Sequence, residues 1–216
     1  LGMNGKFFFV DRRKKKYKTS FYYNLNKEKD NKHDRIIFFL EKKQKLIYND
    51  VRKFGFIKII KSDNFLNNPH LKNLGPEPLK NDYNSEYFKK YIKEKKISIK
   101  SLLMDQKFVS GLGNIYVNEI LFSSGVKPMR KVKNLKRKEI KNIVFFTKKI
   151  LREAIEYGGS SIKDFSSISG KKGTFQDQFR VYGRNGKNCS NVDCNRNIIK
   201  LTISNRGTFY CSNCQK

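Results

Sequence analysis

All four cysteines of this 216-residue chain fall in its last 28 positions, at Cys189, Cys194, Cys211 and Cys214. Four residues separate the first two, two separate the last two, and sixteen lie between the pairs. Two short pairs joined by a hairpin-length segment are the layout in which four thiolates close around one tetrahedral ion, and zinc is the ion expected. The intervening segment reads as that hairpin: Ile198 to Ile203 as one strand, Ser204-Asn205-Arg206-Gly207 as the turn, Thr208-Phe209-Tyr210 as the next strand. With four protein ligands no coordination position is left for a water, so the expected zinc is single and structural. Two disulfides are the alternative; Leu1 to Val10 lacks the layout of a secretory signal, and a chain of this size can bury a core without covalent staples. At the turn, Arg206 beside Gly207 is an extended cation suited to a DNA groove or a phosphate, although solvation is the default for an isolated turn arginine.

Charge points the same way. Lysine and arginine number 48 against 19 aspartates and glutamates, a formal charge of +29 that a polyanion would feel at long range. An AT-rich coding sequence also enriches lysine, but it would raise the acidic residues too, and they are few. Nucleic acid is the expected partner. No stretch approaches the roughly twenty apolar residues of a membrane span, so no membrane role and an intracellular, reducing, cytoplasmic setting are expected.

Along the chain, residues 1–64 are rich in β-formers: "GKFFFVD", "TSFYYN", "RIIFFLEKKQKLIYND" and "FGFIKII" are apolar runs separated by charged turns, as in part of an antiparallel sandwich. The basic run Arg12 to Lys16 reads as an exposed loop. Residues 65–80 hold three of the four prolines and form a connector. Helical character follows: "NSEYFKKYIKEKK" has Asn84 or Ser85 as N-cap, and "KEIKNIVFFTKKILREAIEYGG" has the same period and ends in two glycines. Between them, "SIKSLLMDQKFVSGLGNIYVNEILFSSGVKP" reads as helix, turn, helix, with Gly111 and Gly113 bracketing the turn and Asn114 as N-cap. A helix starting there offers backbone N–H groups and a positive dipole end to a phosphate; a tight helical hairpin with an ordinary cap is the plainer alternative.

The motifs "LGMNG", "DVRKFG", "LGPEPL", "LLMDQKFVSGLGNIYVNEILF", "GGSSIKDF", "VYGRNGKNC" and "NRGTFYCSNCQK", in this order and nearly end to end, resemble bacterial formamidopyrimidine-DNA glycosylase. The resemblance implies an α+β fold: an N-terminal β-sandwich lobe, here partial (1–64), the connector (65–80), a helical lobe with a helix-two-turn-helix and a base-capping loop (81–180), and a zinc-finger hairpin (181–216). It implies DNA in the cleft between lobes, with Asn114 and Arg206 gripping phosphate near Gly111 and Gly113. Met3, Arg52 and Phe54 would fill the gap left by an everted base, because an enzyme acting on a base must take it out of the stack. Gly170, Lys171, Lys172, Gly173 and Thr174, in "SISGKKGTFQDQ", match the loop that closes over an oxidised purine.

The implied activity is base-excision repair: a bifunctional glycosylase and abasic-site lyase, acting as a monomer on duplex DNA that contains 8-oxoguanine, formamidopyrimidines or abasic sites. In the family, an N-terminal proline nitrogen attacks C1′ of the damaged nucleoside, the base leaves, and the resulting iminium makes the sugar labile to elimination, with a glutamate moving protons. That proline, its glutamate and an assisting sandwich lysine would precede "LGM", so no catalytic residue is assigned within the 216. The chain is expected to be a fragment of a longer protein or a truncated gene model, inactive by itself. The alternatives are a catalytically silent, zinc-dependent DNA-binding remnant, an endonuclease VIII-like enzyme for oxidised pyrimidines, and a zinc-ribbon protein of the ribosome or transcription apparatus. The first knuckle departs from the family's Cys-x2-Cys, and its two extra residues are expected to loop outward.

Overall fold

A computed structural model of the chain describes residues 5–10, 31–65, 67–160 and 173–216. The chain forms two compact units, Leu1–Ile60 with Tyr157–Gln176, and Lys61–Glu156 with Asp177–Lys216.

In the first unit, strands β1 (Lys6–Val10), β2 (Asp34–Phe39) and β3 (Lys45–Asn49) form an antiparallel sheet in the order β1-β3-β2. The central strand is the buried one: Ile47 and Tyr48 lie inside, and the Phe7 ring packs against Tyr48 at 5.3 Å between centroids. Asp34 begins β2 opposite Asn49, whose side-chain amide donates to the Asp34 carboxylate at 2.9 Å and pins the register. The run "FGFIKII" was expected to be a strand. It forms no ladder among the described residues, and Phe56, Ile57 and Ile59 are exposed. An apolar run becomes a strand only where a neighbour pairs with its backbone. "TSFYYN" and Arg12 to Lys16 lie outside the described residues.

The second unit is helical with a terminal hairpin. Helix α1 (Pro69–Lys72) is a single turn capped by Asn68, whose side chain accepts from the His70 N–H. In "LGPEPL" the glycine has a steric cause: a Cβ on Gly75 would run into the backbone of Lys107 and Phe108. The segment is held there by Gly75 N–H to the Gln106 carbonyl and Ser110 N–H to the Pro76 carbonyl. Helix α2 (Ser85–Ile92) starts from Asn84, whose Oδ1 accepts from Glu86 and Tyr87 N–H. Its apolar face meets Phe108, which is packed among Tyr83, Tyr87, Phe88 and Tyr91. Helices α3 (Ile99–Met104) and α4 (Asn114–Ser123) pack together, and α5 (Arg137–Glu156) lies against α4 and α2. Ile99, Leu102, Leu103, Ile120, Leu121 and Ile143 are fully buried among them. Gly158 and Gly159, both with positive φ, follow α5 as its period and paired glycines predict. No helix among the described residues is long and apolar enough to cross a membrane.

The chain ends in β4 (Ile198–Ile203) and β5 (Arg206–Cys211), paired antiparallel from Ile198–Cys211 to Ile203–Arg206. The turn is two residues, Ser204 and Asn205, at φ 49° and 56°. Positive φ at both positions gives a connection whose twist matches the strands. Arg206, expected at the tip, instead opens β5 opposite Ile203.

Candidate nucleic-acid interface and metal centre

Local geometry builds the turn between α3 and α4. Gln106 spans it: its Oε1 accepts the Gly111 N–H at 2.7 Å and its Nε2 donates to the Leu112 carbonyl at 3.0 Å. Gly111 sits at φ +81°, and a Cβ on Gly111 or Gly113 would meet nothing within 4 Å. The outer surface of the turn is therefore open, with the first N–H groups of α4 behind it.

The N-cap of α4 is Gly113, with no side-chain cap bond, whereas Asn114 was expected there. Asn114 is the first helical residue because its side chain is used elsewhere: Nδ2 donates to the carbonyl of Gly207 on β5 at 3.0 Å. An amide NH₂ has two hydrogens, so one N–H remains for a further acceptor. One turn on, Asn118 is fully buried; its Nδ2 donates to the Asn114 carbonyl at 2.6 Å and its Oδ1 accepts the Phe209 N–H at 2.7 Å. The two asparagines fasten β5 along α4 and bring the Arg206 end of the hairpin beside the start of that helix.

Glu119 fastens the chain ahead of the cysteines. This buried carboxylate accepts the N–H groups of Arg180, Val181 and Tyr182 at 2.9, 3.1 and 2.8 Å. Burial raises its pKa, and those three N–H groups oppose the rise. At the other end of α4, the buried Gln215 accepts from Cys211 N–H and donates to the Val126 carbonyl, and Lys216 N–H reaches the Gly125 carbonyl.

The four cysteines converge: their sulfurs all lie within 4.8 Å of one another, with Cys189 to Cys214 at 3.8 Å and Cys194 to Cys211 at 3.6 Å. These separations are too long for disulfides, and all four thiols are free. They suit a tetrahedron around one ion, whose edges are about 3.8 Å for metal–sulfur bonds of about 2.3 Å. Burial pushes the Cys189 thiol up to about 12, with the neighbouring sulfurs adding to the rise, while the Arg196 N–H holds Cys194 down at about 7. A cation is what lets four such thiols ionise together. The two extra residues of the first knuckle do loop outward: Val192 is 96% exposed.

In the first unit, "DVRKFG" forms a tight loop around Asp50. The residue is buried, and its carboxylate accepts from the Tyr48 hydroxyl at 3.0 Å, Arg52 N–H at 3.1 Å and Gly55 N–H at 2.8 Å. Arg35 Nε donates to its carbonyl at 2.9 Å. The loop holds up Arg52 and Phe54 together, the guanidinium carbon 4.6 Å from the ring centroid and the ring 61% exposed. An exposed aromatic with a cation over its face has the shape of a wedge. Gly173 and Thr174 lie against the 158–160 segment: Thr174 bridges to Ser160, and a Cβ on Gly173 would strike the Gly158 and Gly159 carbonyls. Met3, Gly170, Lys171 and Lys172 lie outside the described residues.

The formamidopyrimidine-DNA glycosylase N-terminal domain pattern matches residues 1–57, and the H2TH domain pattern of the same enzymes matches residues 74–166. The formamidopyrimidine-DNA glycosylase of Rickettsia conorii is 40% identical over 215 residues, covering 100% of this chain and 72% of the relative. That of Ruegeria pomeroyi is 40% identical over 185 residues, 86% of this chain and 65% of the relative. Among solved structures, a Lactococcus lactis FPG mutant in complex with Fapy-dG-containing DNA superposes with a TM-score of 0.82 at 33% identity, covering 100% of this chain and 73% of that one. The MutM (FPG) protein of Thermus thermophilus does so at 0.79 and 32%, with the same coverage. The chain thus joins an α+β fold to a helix-turn-helix and a four-cysteine hairpin. It belongs to the formamidopyrimidine-DNA glycosylase family, and it spans about two thirds to three quarters of the length of these relatives.

Proposed function

We propose that the chain serves base-excision repair as part of a DNA glycosylase with abasic-site lyase activity, acting as a monomer on oxidised purines in duplex DNA of the bacterial cytoplasm. The observation that carries the DNA reading is the Gly207 carbonyl, to which Asn114 donates from the start of α4 while Arg206 stands next to it on the hairpin. The spare amide N–H, the guanidinium and the N–H groups behind the open glycine turn together are what one phosphate needs.

Each part then has a role. Arg52 and Phe54 occupy the space an everted base leaves, the ring stacking on the neighbours its departure exposes and the guanidinium filling the rest of the vacated space. Cys189, Cys194, Cys211 and Cys214 hold zinc, which supplies no reactive group and keeps the hairpin in register with α4. The segment that holds Gly170, Lys171, Lys172, Gly173 and Thr174 serves, as its likeness to the family's capping loop suggests, to cover the extruded base. The family's proline nucleophile accounts for the lyase step.

Borohydride trapping on an 8-oxoguanine duplex, with the protein as its own cell makes it, tests the chemistry. A covalent protein–DNA adduct is expected. Binding to the duplex with no trapped adduct and no base release would contradict the enzymatic reading.

A further inference from the structure

Lys100 is the most unusual basic residue of the second unit. Most of the 48 lysines and arginines have no reason to leave water. Lys100, in the second position of α3, is 1% exposed. Its ammonium donates to the Gly207 carbonyl at 3.0 Å and to the Thr208 hydroxyl at 2.6 Å. Both acceptors are neutral. Thr208, itself fully buried, donates its own hydroxyl hydrogen bond to the Arg206 carbonyl at 3.1 Å. One nitrogen thus fixes the strand at 206–208 by two routes, and it shares the Gly207 oxygen with Asn114.

Among the described residues, the surroundings give this cation no counter-charge. On β5 the nearest charged group is Arg206, which repels it. On β4 Lys200 lies over the Phe209 ring. On α4 Glu119 is taken up by the three N–H groups at 180–182. At the end of its own helix the Asp105 carboxylate accepts the Lys107 N–H. In the turn after α4, Lys127, Arg130 and Lys131 are all basic, and Arg130 pairs with Glu139. Lys100, Ser101, Ser204 and Arg206 line a recess of about 200 Å³ with Met104 and Ile203. A buried, hydrogen-bonded cation beside a second cation is a site short of an anion.

We propose that Lys100 is the positioning residue of the phosphate grip: its ammonium fixes the Gly207 carbonyl and the Arg206 strand, and the DNA phosphate held by Asn114 and Arg206 supplies its missing counter-charge. The inference rests on the DNA reading given above. Burial, with Arg206 adding to it, already holds the Lys100 pKa down at about 8. An arriving phosphate favours the charged form, so binding raises that pKa and takes up a proton. Affinity is therefore greatest below the free-state value and falls as pH rises above it, levelling off past the bound-state value.

The test is fluorescence anisotropy of the full, zinc-loaded chain with a duplex carrying a tetrahydrofuran abasic analogue, from about pH 6.5 to about pH 9.5, below the midpoint of ordinary lysine titration, with the Lys100→Met profile subtracting what the other lysines contribute. For the wild type, affinity should fall about tenfold across the upper half of this range, the loss expected from one pKa unit of linkage. Lys100→Met, which keeps length and removes charge, should bind about tenfold more weakly at the lower end with a flat profile, so that the two curves converge at high pH. A variant that tracks the wild type everywhere overturns the proposal. So does one weaker by the same factor at every pH, which is what a packing role alone would do. Zinc content reports whether the variant has folded; where it has not, the wild-type profile decides, and a flat one overturns the proposal. Absence of salt-dependent binding by the wild type would instead remove the DNA reading on which the proposal stands.

Discussion

The carboxylate of Asp50 accepts the backbone N–H of Gly55 at 2.8 Å, closing the loop that carries Arg52 and Phe54. This bond, with those from Tyr48 and the Arg52 N–H, puts a buried charge at the centre of a loop whose other members face outward.

The bonds hold the Asp50 pKa below the ordinary carboxylate value, Gly55 contributing most. A carboxyl with a depressed folded-state pKa contributes stability that is full above the unfolded value and is lost as pH falls through the folded one. Hydrogen-exchange protection of the Gly55 amide should be level above about pH 5 and decline below about pH 4. Asp50→Asn should lower that protection throughout and flatten the acid decline. Unchanged protection in the variant would show that the carboxylate does not hold the loop.

Glu119→Leu takes the acceptor from the three backbone N–H groups at 180–182, of which that of Val181 is buried, and should cost on the order of 3 kcal/mol in urea unfolding. Glu119→Gln keeps one acceptor oxygen and should cost less. Equal costs would mean that volume, not hydrogen bonding, is what the site needs.

Chelation should free the four thiols and release the hairpin from the structure its knuckles impose. The readouts are thiol titration and affinity for abasic DNA, both expected to recover on adding zinc. Val192→Ser, at the exposed tip of the enlarged knuckle, should change stability by no more than about 0.5 kcal/mol. Full DNA affinity in the chelated protein would remove the structural role of the metal.

What sequence disclosed was set by distance along the chain. The cysteine spacing, the cap at Asn84 and the glycines after α5 are local patterns, and each names its element without help from the rest of the molecule. The family motifs single out Asn114 and Arg206, but their geometry was not legible in them. Asn114 leaves the cap position for a partner 93 residues away, and Arg206 moves into β5 because Ser204 and Asn205 both take positive φ. Lys100, Asn118 and Glu119 went unmarked for the same reason: their partners are 61 to 108 residues distant. A faint signal existed in "NIYVNEILF", where Asn118 and Glu119 interrupt an otherwise apolar helix and so had to be either exposed or bonded. "FGFIKII" misled because β-propensity says nothing about whether a partner strand is there.

The central claim is that Asn114 and Arg206, joined through the Gly207 carbonyl, hold one DNA phosphate. The most direct measurement is the salt dependence of the dissociation constant for an abasic-site duplex, for the wild type and for Arg206→Ala. The wild type should show a steep log–log slope, and the variant should bind about ten- to hundredfold more weakly with a slope shallower by about one unit, the signature of one lost phosphate contact. An Arg206→Ala protein with wild-type affinity and slope would contradict the account.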